Sequence, residues 1–98
     1  MKENERRPEV SVIIPVHNLE RYIDACLASV EAQTFGEFEA VVVDDGSTDG
    51  SLRLVRSRAE RDARIVVVAT PNRGVARARE TGLAKARGRY VCFLDGDD

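Results

Sequence analysis

Residues 38–51 read FEAVVVDDGSTDGS, and the change of character halfway along this stretch decides the fold. Its first half is nearly continuous in apolar letters and rich in valine. That is the pattern of a strand buried on both faces, as in a parallel sheet; clean alternation would mark a half-exposed strand. Its second half is built from Asp, Gly, Ser and Thr, the residue types of turns and helix caps. The stretch therefore predicts a strand, a tight turn and a helix starting near Thr48 or Asp49. That helix would carry Leu52, Val55 and Ala59 inward. Arg53, Arg56, Arg58, Glu60 and Arg61 would form its solvated face.

Working outward, three more runs share the buried-strand pattern: VSVIIPV from Val10, RIVVVAT from Arg64 and RYVCFLD from Arg89. Between the first two strands, Leu19, Tyr22, Ile23, Cys26, Leu27 and Val30 recur at spacings of three and four. They make one apolar stripe on a helix that Asn18 could cap and Gly36 could follow. A third helix is expected from about Val75 to Arg87, stopped by Gly88 and weakened in its middle by Gly82. The order is βαβαβαβ. Crossovers of this length join parallel strands with a right-handed sense, so the fold class is α/β, a three-layer sandwich with helices over a parallel sheet.

With 98 residues the chain has room for one small domain, read as residues 9–98 behind a loose tail of residues 1–8. Fifteen basic residues against seventeen acidic ones give a net charge of −2, which offers no footprint for nucleic acid. The charged N-terminus has no apolar core of a signal peptide, and no run approaches the roughly 20 apolar residues of a membrane span. Cys26 and Cys92 are far apart and sit among apolar residues, so both read as buried free thiols of a reducing compartment. The expected location is the cytoplasm, at the inner face of the membrane if a longer protein carries an anchor.

Ligands of open parallel sheets bind beyond the carboxyl ends of the strands. Three of those ends are unusual here: PVHN at residues 15–18, DDGSTDGS at residues 44–51 and DGDD at residues 95–98. Turn chemistry accounts for Gly46 to Gly50. It accounts less well for two adjacent carboxylates, so Asp44 and Asp45 stay open between a turn role and a ligand-binding one. At the fourth end, carboxylates at the mouth of a buried strand repel one another unless a cation intervenes. Asp95 and Asp97 fall on one side of an extended chain, and Gly96 between them lets a ligand come close. Two such oxygens suit a hard divalent ion, Mg²⁺ or Mn²⁺, with phosphate and water completing the shell. A metal site accounts for DGDD better than a frayed acidic terminus does. His17, the only histidine, reads alone as a residue leading into a helix; an aromatic face for a planar ligand is the alternative. The chain lacks a GxGxxG after its first strand, a phosphate loop ending GK[ST] and a GxSxG elbow, which argues against three common α/β chemistries.

Taken together, SVIIPVHN, QTFGEFEAVVVDDGSTDGS and NRGVARARETGLAKARGRYVCFLDGDD closely resemble the N-terminal half of glycosyltransferase family 2, which has the GT-A fold. The resemblance runs from Glu9 to Asp98. It implies transfer of a sugar from a nucleotide diphosphate sugar, most often a UDP-sugar, to a hydroxyl of a glycan, lipid or other acceptor, commonly with inversion. It implies that Pro15 and His17 line the base pocket, His17 with its aromatic face, and that Asp45 accepts a hydrogen bond from the base. Arg79 would support the acidic triplet and the donor. Asp95, Gly96 and Asp97 would form the acid-x-acid motif, with Asp97 on the metal and Asp95 on the ribose or in the metal shell. Glu80 departs from the asparagine common after the helix arginine.

The family's general base and acceptor half follow the acidic motif, so no catalytic base is expected within this chain, and the chain alone is expected to bind nucleotide weakly or not at all and to lack transferase activity. Two other classes fit less well. A receiver-type signalling module needs an acid pair after its first strand, where this chain has PVHN. A metal-dependent nucleotidyltransferase usually brings a glycine-rich phosphate loop at that place.

Overall fold

The computed structural model describes residues 7–32 and 37–96. Gly36, Asp97 and Asp98 lie outside them, as do residues 1–6 of the expected tail. The elements are β1 (Val10–Val16), α1 (Ile23–Ala32), β2 (Phe38–Asp45), α2 (Ser51–Arg61), β3 (Ile65–Thr70), α3 (Val75–Lys85) and β4 (Tyr90–Phe93). All four strands are parallel, in the order β3-β2-β1-β4. The α/β class and the βαβαβαβ order are those read from the sequence.

The strand order explains the layers. The connections β1→β2 and β2→β3 step in one direction, and β3→β4 returns past both strands to the far edge. Right-handed crossovers running in opposite directions place their helices on opposite faces. One face packs Ile14, Val16, Ala40, Val42 and Ile65 with Ile23, Cys26 and Leu27 of α1 and Val55 of α2. The other packs Ile13, Val41 and Val43 against Ala78 of α3. Successive residues of β1 and β2 thus feed alternate layers, which is why these runs are continuously apolar. Each buried Val, Leu or Ile contributes roughly 1.5–3 kcal/mol.

Gly82 is where α3 comes closest to the sheet. A Cβ there would stand 2.5 Å from Ile13 Cγ2 and 3.2 Å from Val43 Cγ2. The glycine costs helix propensity and gains a closer helix–sheet contact.

Several local expectations are corrected. Helix α2 starts at Ser51 rather than Thr48 or Asp49, because Asp49 lies before the helix and its Oδ1 accepts the Ser51 amide at 2.9 Å. Helix α3 ends at Lys85 rather than Arg87. Gly88 is not its stop; it lies against β1, donating its N–H to Ser11 Oγ at 2.8 Å. Asn18 does not cap α1, whose first turn bonds back to the Leu19 carbonyl, and Tyr22 of the apolar stripe is half exposed.

The largest departure is β4. Tyr90, Val91 and Phe93 are 60%, 39% and 49% exposed, and Cys92 is exposed where a buried thiol was expected. Among the described residues β4 pairs only with β1, so it is an edge, and an apolar run on an edge lacks the cover that a central strand has. Among the described residues no helix is long and apolar enough to cross a membrane.

Candidate functional site

At the carboxyl end of the sheet, two loops are joined into one unit. The loop after β1 and the loop after β2 exchange hydrogen bonds in both directions. Asn18 N–H donates to Ser47 Oγ (3.0 Å), Leu19 N–H to Ser51 Oγ (2.8 Å) and Glu20 N–H to Asp49 Oδ2 (3.2 Å). In return Asn18 Oδ1 accepts the amides of Thr48 (2.8 Å) and Asp49 (3.2 Å). The Ser51 hydroxyl, and then backbone amides, hold the Asp49 carboxyl below the usual range. The polar residues Ser47 to Ser51 are therefore consumed by loop structure.

The adjacent acids Asp44 and Asp45 divide between the two readings left open for them. Asp44 is buried and closes the turn, its Oδ2 accepting the Ser47 amide at 3.1 Å; its buried Oδ1 has no partner among the described residues. Asp45 turns toward the third loop. Its Oδ1 accepts the Arg73 amide at 2.7 Å and its Oδ2 the Gly74 amide at 3.0 Å. It thereby fixes the approach to α3. Gly46, at φ +68°, packs against the same loop, and a Cβ there would stand 2.5 Å from Asn72 N.

Between these loops lies a cavity of about 400 Å³ lined by residues from the ends of all four strands, among them Pro15, His17, Asp45, Asn72 and Asp95. Of the residues read from the sequence, Pro15, His17, Asp45 and Asp95 meet here. Arg79 reaches the rim from α3, its guanidinium 3.2 Å from Asp95 Oδ1. Gly96 is buried under the floor; a Cβ there would stand 2.8 Å from Leu19 Cδ1. Asp97 lies outside the described residues.

Asn72, Gly74 and Val75 also line the cavity, and the reading of the sequence passed over them. Asn72 sits in PNRG directly before an arginine-rich helix. An amide side chain at the carboxyl end of a strand, ahead of a helix start, was the available signal. Among the described residues no group of three or more His, Cys, Asp or Glu side chains could hold a metal ion; the Asp95 carboxylate, at the rim with 56% of its side chain exposed, is an oxygen ligand of the kind Mg²⁺ and Mn²⁺ prefer.

Parallel strands between two layers of helices, with an acid-lined pocket beyond the strand ends, make an α/β fold of the GT-A glycosyltransferase type. The chain belongs to glycosyltransferase family 2: the model described as "Glycosyl transferase family 2" matches residues 11–98. Among its relatives is an uncharacterized glycosyltransferase, EpsJ of Bacillus subtilis, 44% identical over 91 residues, covering 93% of this chain and 26% of EpsJ. The chain therefore spans about a quarter of that relative's length. Among solved structures it is similar to the mannosyltransferase PcManGT of Pyrobaculum calidifontis in complex with GDP-Man and Mn²⁺, with a TM-score of 0.84 and 37% identity over 94% of this chain and 28% of that one. It is also similar to S. aureus TarS in complex with UDP-GlcNAc, with a TM-score of 0.84 and 39% identity over 91% of this chain and 26% of that one.

Proposed function

We propose that the chain forms the donor site of a glycosyltransferase that moves a sugar from a nucleotide diphosphate sugar to an acceptor hydroxyl, with inversion and with a divalent metal. The observation that carries this reading is the convergence of Pro15, His17, Asp45 and Asp95 on one cavity of about 400 Å³, a size suited to a small ligand. The ligands held by PcManGT and TarS support it.

In this reading Pro15 and the His17 ring flank the base. The Asp45 carboxylate has about four lone-pair sites. Two face backbone amides, which leaves capacity for an N–H of the base. Uracil presents such a donor, and UDP is the nucleotide we assign. Arg79 steadies Asp95 at the rim. Gly96 keeps the end of β4 close to Leu19, and Asp97 with Asp95 would hold Mn²⁺ or Mg²⁺. The chemistry such an ion supplies is Lewis-acid neutralisation of the charge that grows on the departing diphosphate, worth several kcal/mol. No residue of this chain is assigned as the base that takes the acceptor proton. Cys26 and Cys92, neither of them in a disulfide, accord with a cytoplasmic site.

Calorimetric titration with UDP, GDP and ADP, with and without Mn²⁺, tests the reading, with Asp97→Ala alongside. UDP should bind above the others, need Mn²⁺, and lose that dependence in the variant. A folded protein with no metal-dependent nucleotide binding would overturn it.

A further inference from the structure

His17 is the only histidine of the chain, and both of its ring nitrogens face defined partners. Nδ1 lies 2.8 Å from the Asp45 carbonyl oxygen. A carbonyl only accepts, so Nδ1 carries the proton. Nε2 lies 3.4 Å from Asn18 Nδ2, while Asn72 Nδ2 lies almost equally far from both ring nitrogens, 3.1 Å from Nδ1 and 3.2 Å from Nε2, and so favours neither. An amide's two ends are usually assigned from its surroundings, and for Asn18 they are unambiguous. Its oxygen accepts two backbone N–H groups, from Thr48 and Asp49, so its NH₂ is the end turned to the ring. Nε2 therefore faces the Asn18 donor and acts as an acceptor. Asn18 is itself held in place. Its backbone is left-handed, φ 53°, a conformation that asparagine tolerates better than most residues, and its N–H is bonded to Ser47.

We propose that Asn18 is a positioning residue: its side-chain amide, anchored on the loop after β2, holds His17 as the neutral Nδ1–H tautomer with its ring in one orientation at the pocket wall. This rests on the reading of the cavity as a nucleotide site, where a ring fixed before the ligand arrives removes part of the ordering cost of binding. Neither His17 nor Asn18 could supply the arrangement alone. The carbonyl sets one nitrogen, and the amide sets the other.

Nitrogen NMR of the protein labelled at its single histidine reports which ring nitrogen is protonated, without any nucleotide present. At neutral pH the wild type should show the Nδ1–H form. Asn18→Asp keeps the oxygen that the Thr48 and Asp49 amides need but turns an acceptor toward Nε2; it should move the proton to Nε2 or add one there. Asn18→Gly keeps the left-handed backbone without the amide and should give a mixture. Asn72→Ala should leave the Nδ1–H form intact. A wild-type Nε2–H ring, an unchanged tautomer in both Asn18 variants, or a switch in Asn72→Ala would each overturn the proposal. UDP titration of the same proteins is the second arm. Asn18→Asp should weaken UDP binding by about five- to tenfold, the equivalent of one hydrogen bond. If the tautomer shifts and the wild type binds UDP, unchanged affinity in Asn18→Asp would overturn the positioning role. Wild-type protein that shows the Nδ1–H form and binds no UDP would instead refute the nucleotide reading of the cavity.

Discussion

The two carboxylates that frame the pocket from opposite sides, Asp45 at the end of β2 and Asp95 beyond the end of β4, are held in contrasting ways. Asp45 is 5% exposed and accepts backbone amides on both oxygens. Asp95 stands on the rim with 56% of its side chain in solvent and one arginine contact at 3.2 Å. A buried acid satisfied by backbone N–H groups is part of the framework, since removing it strands those donors. An exposed acid with one flexible partner adds little to stability and is left available to a ligand. The contrast follows the sheet. β2 is central and joined through three loops, whereas β4 is a four-residue edge strand.

The largest expected effect is at Asp45. Asp45→Ala removes the acceptor of two amides at once and should cost roughly 2–4 kcal/mol, read as a lower urea midpoint with unchanged slope. A cost below about 0.5 kcal/mol would break the contrast, placing both acids in the ligand-facing class. Next comes Ser51, fully buried, whose Oγ accepts the Leu19 amide across the joined loops. Ser51→Ala should cost about 1–2 kcal/mol by the same measurement. No loss would mean the two loops do not act as one unit.

Much of this was legible in the sequence, and the boundary has physical causes. Continuous apolar runs report burial on both faces, which gave the parallel sheet, and turn types after Val43 gave the strand-to-helix passage. The grouping of Pro15, His17, Asp45 and Asp95 followed from the rule that parallel sheets bind ligands at their carboxyl ends, sharpened by the family resemblance. What periodicity does not carry is which neighbour a strand has. The run at residues 90–94 reads like a core strand, yet it lies on an edge and leaves Tyr90, Phe93 and Cys92 exposed. Nor does it carry partners distant in sequence. Asn18 reads as the cap of the helix that follows it, and its oxygen instead serves amides 30 and 31 residues away. Gly82 reads as a weak point in a helix until Ile13 is seen beneath it.

A smaller effect is expected at the opposite end of the molecule, where an acid is paired without lying near the pocket. Arg64 bonds Asp62 through Nε (2.9 Å) and through a terminal nitrogen (2.7 Å), and this lowers the Asp62 carboxyl to about 2. The folded value lies below the ordinary one of 3.8. The pair therefore stabilises the fold above about pH 4, and that contribution is lost as pH falls toward 2. Screened by solvent, it should amount to about 0.5–1 kcal/mol. Asp62→Asn should flatten that part of the stability–pH curve, and an unchanged acid limb would show that the pairing has no thermodynamic weight.

The smallest change in stability belongs to Asp95, and it sharpens the comparison most. Asp95→Ala removes one rim contact to Arg79 and should shift the urea midpoint by less than about 0.5 kcal/mol. The same substitution should weaken Mn²⁺-dependent UDP binding by at least about tenfold, about 1.4 kcal/mol, because in the proposed reading Asp95 supplies the metal-facing or ribose-facing oxygen. Asp45→Ala loses stability and affinity together, so its affinity loss alone does not separate contact from collapse. Asp95→Ala separates them. Equal losses of stability in the two variants would make the acids one structural pair. Loss of binding at full stability would assign Asp95 to the ligand and leave Asp45 as the floor on which the ligand rests.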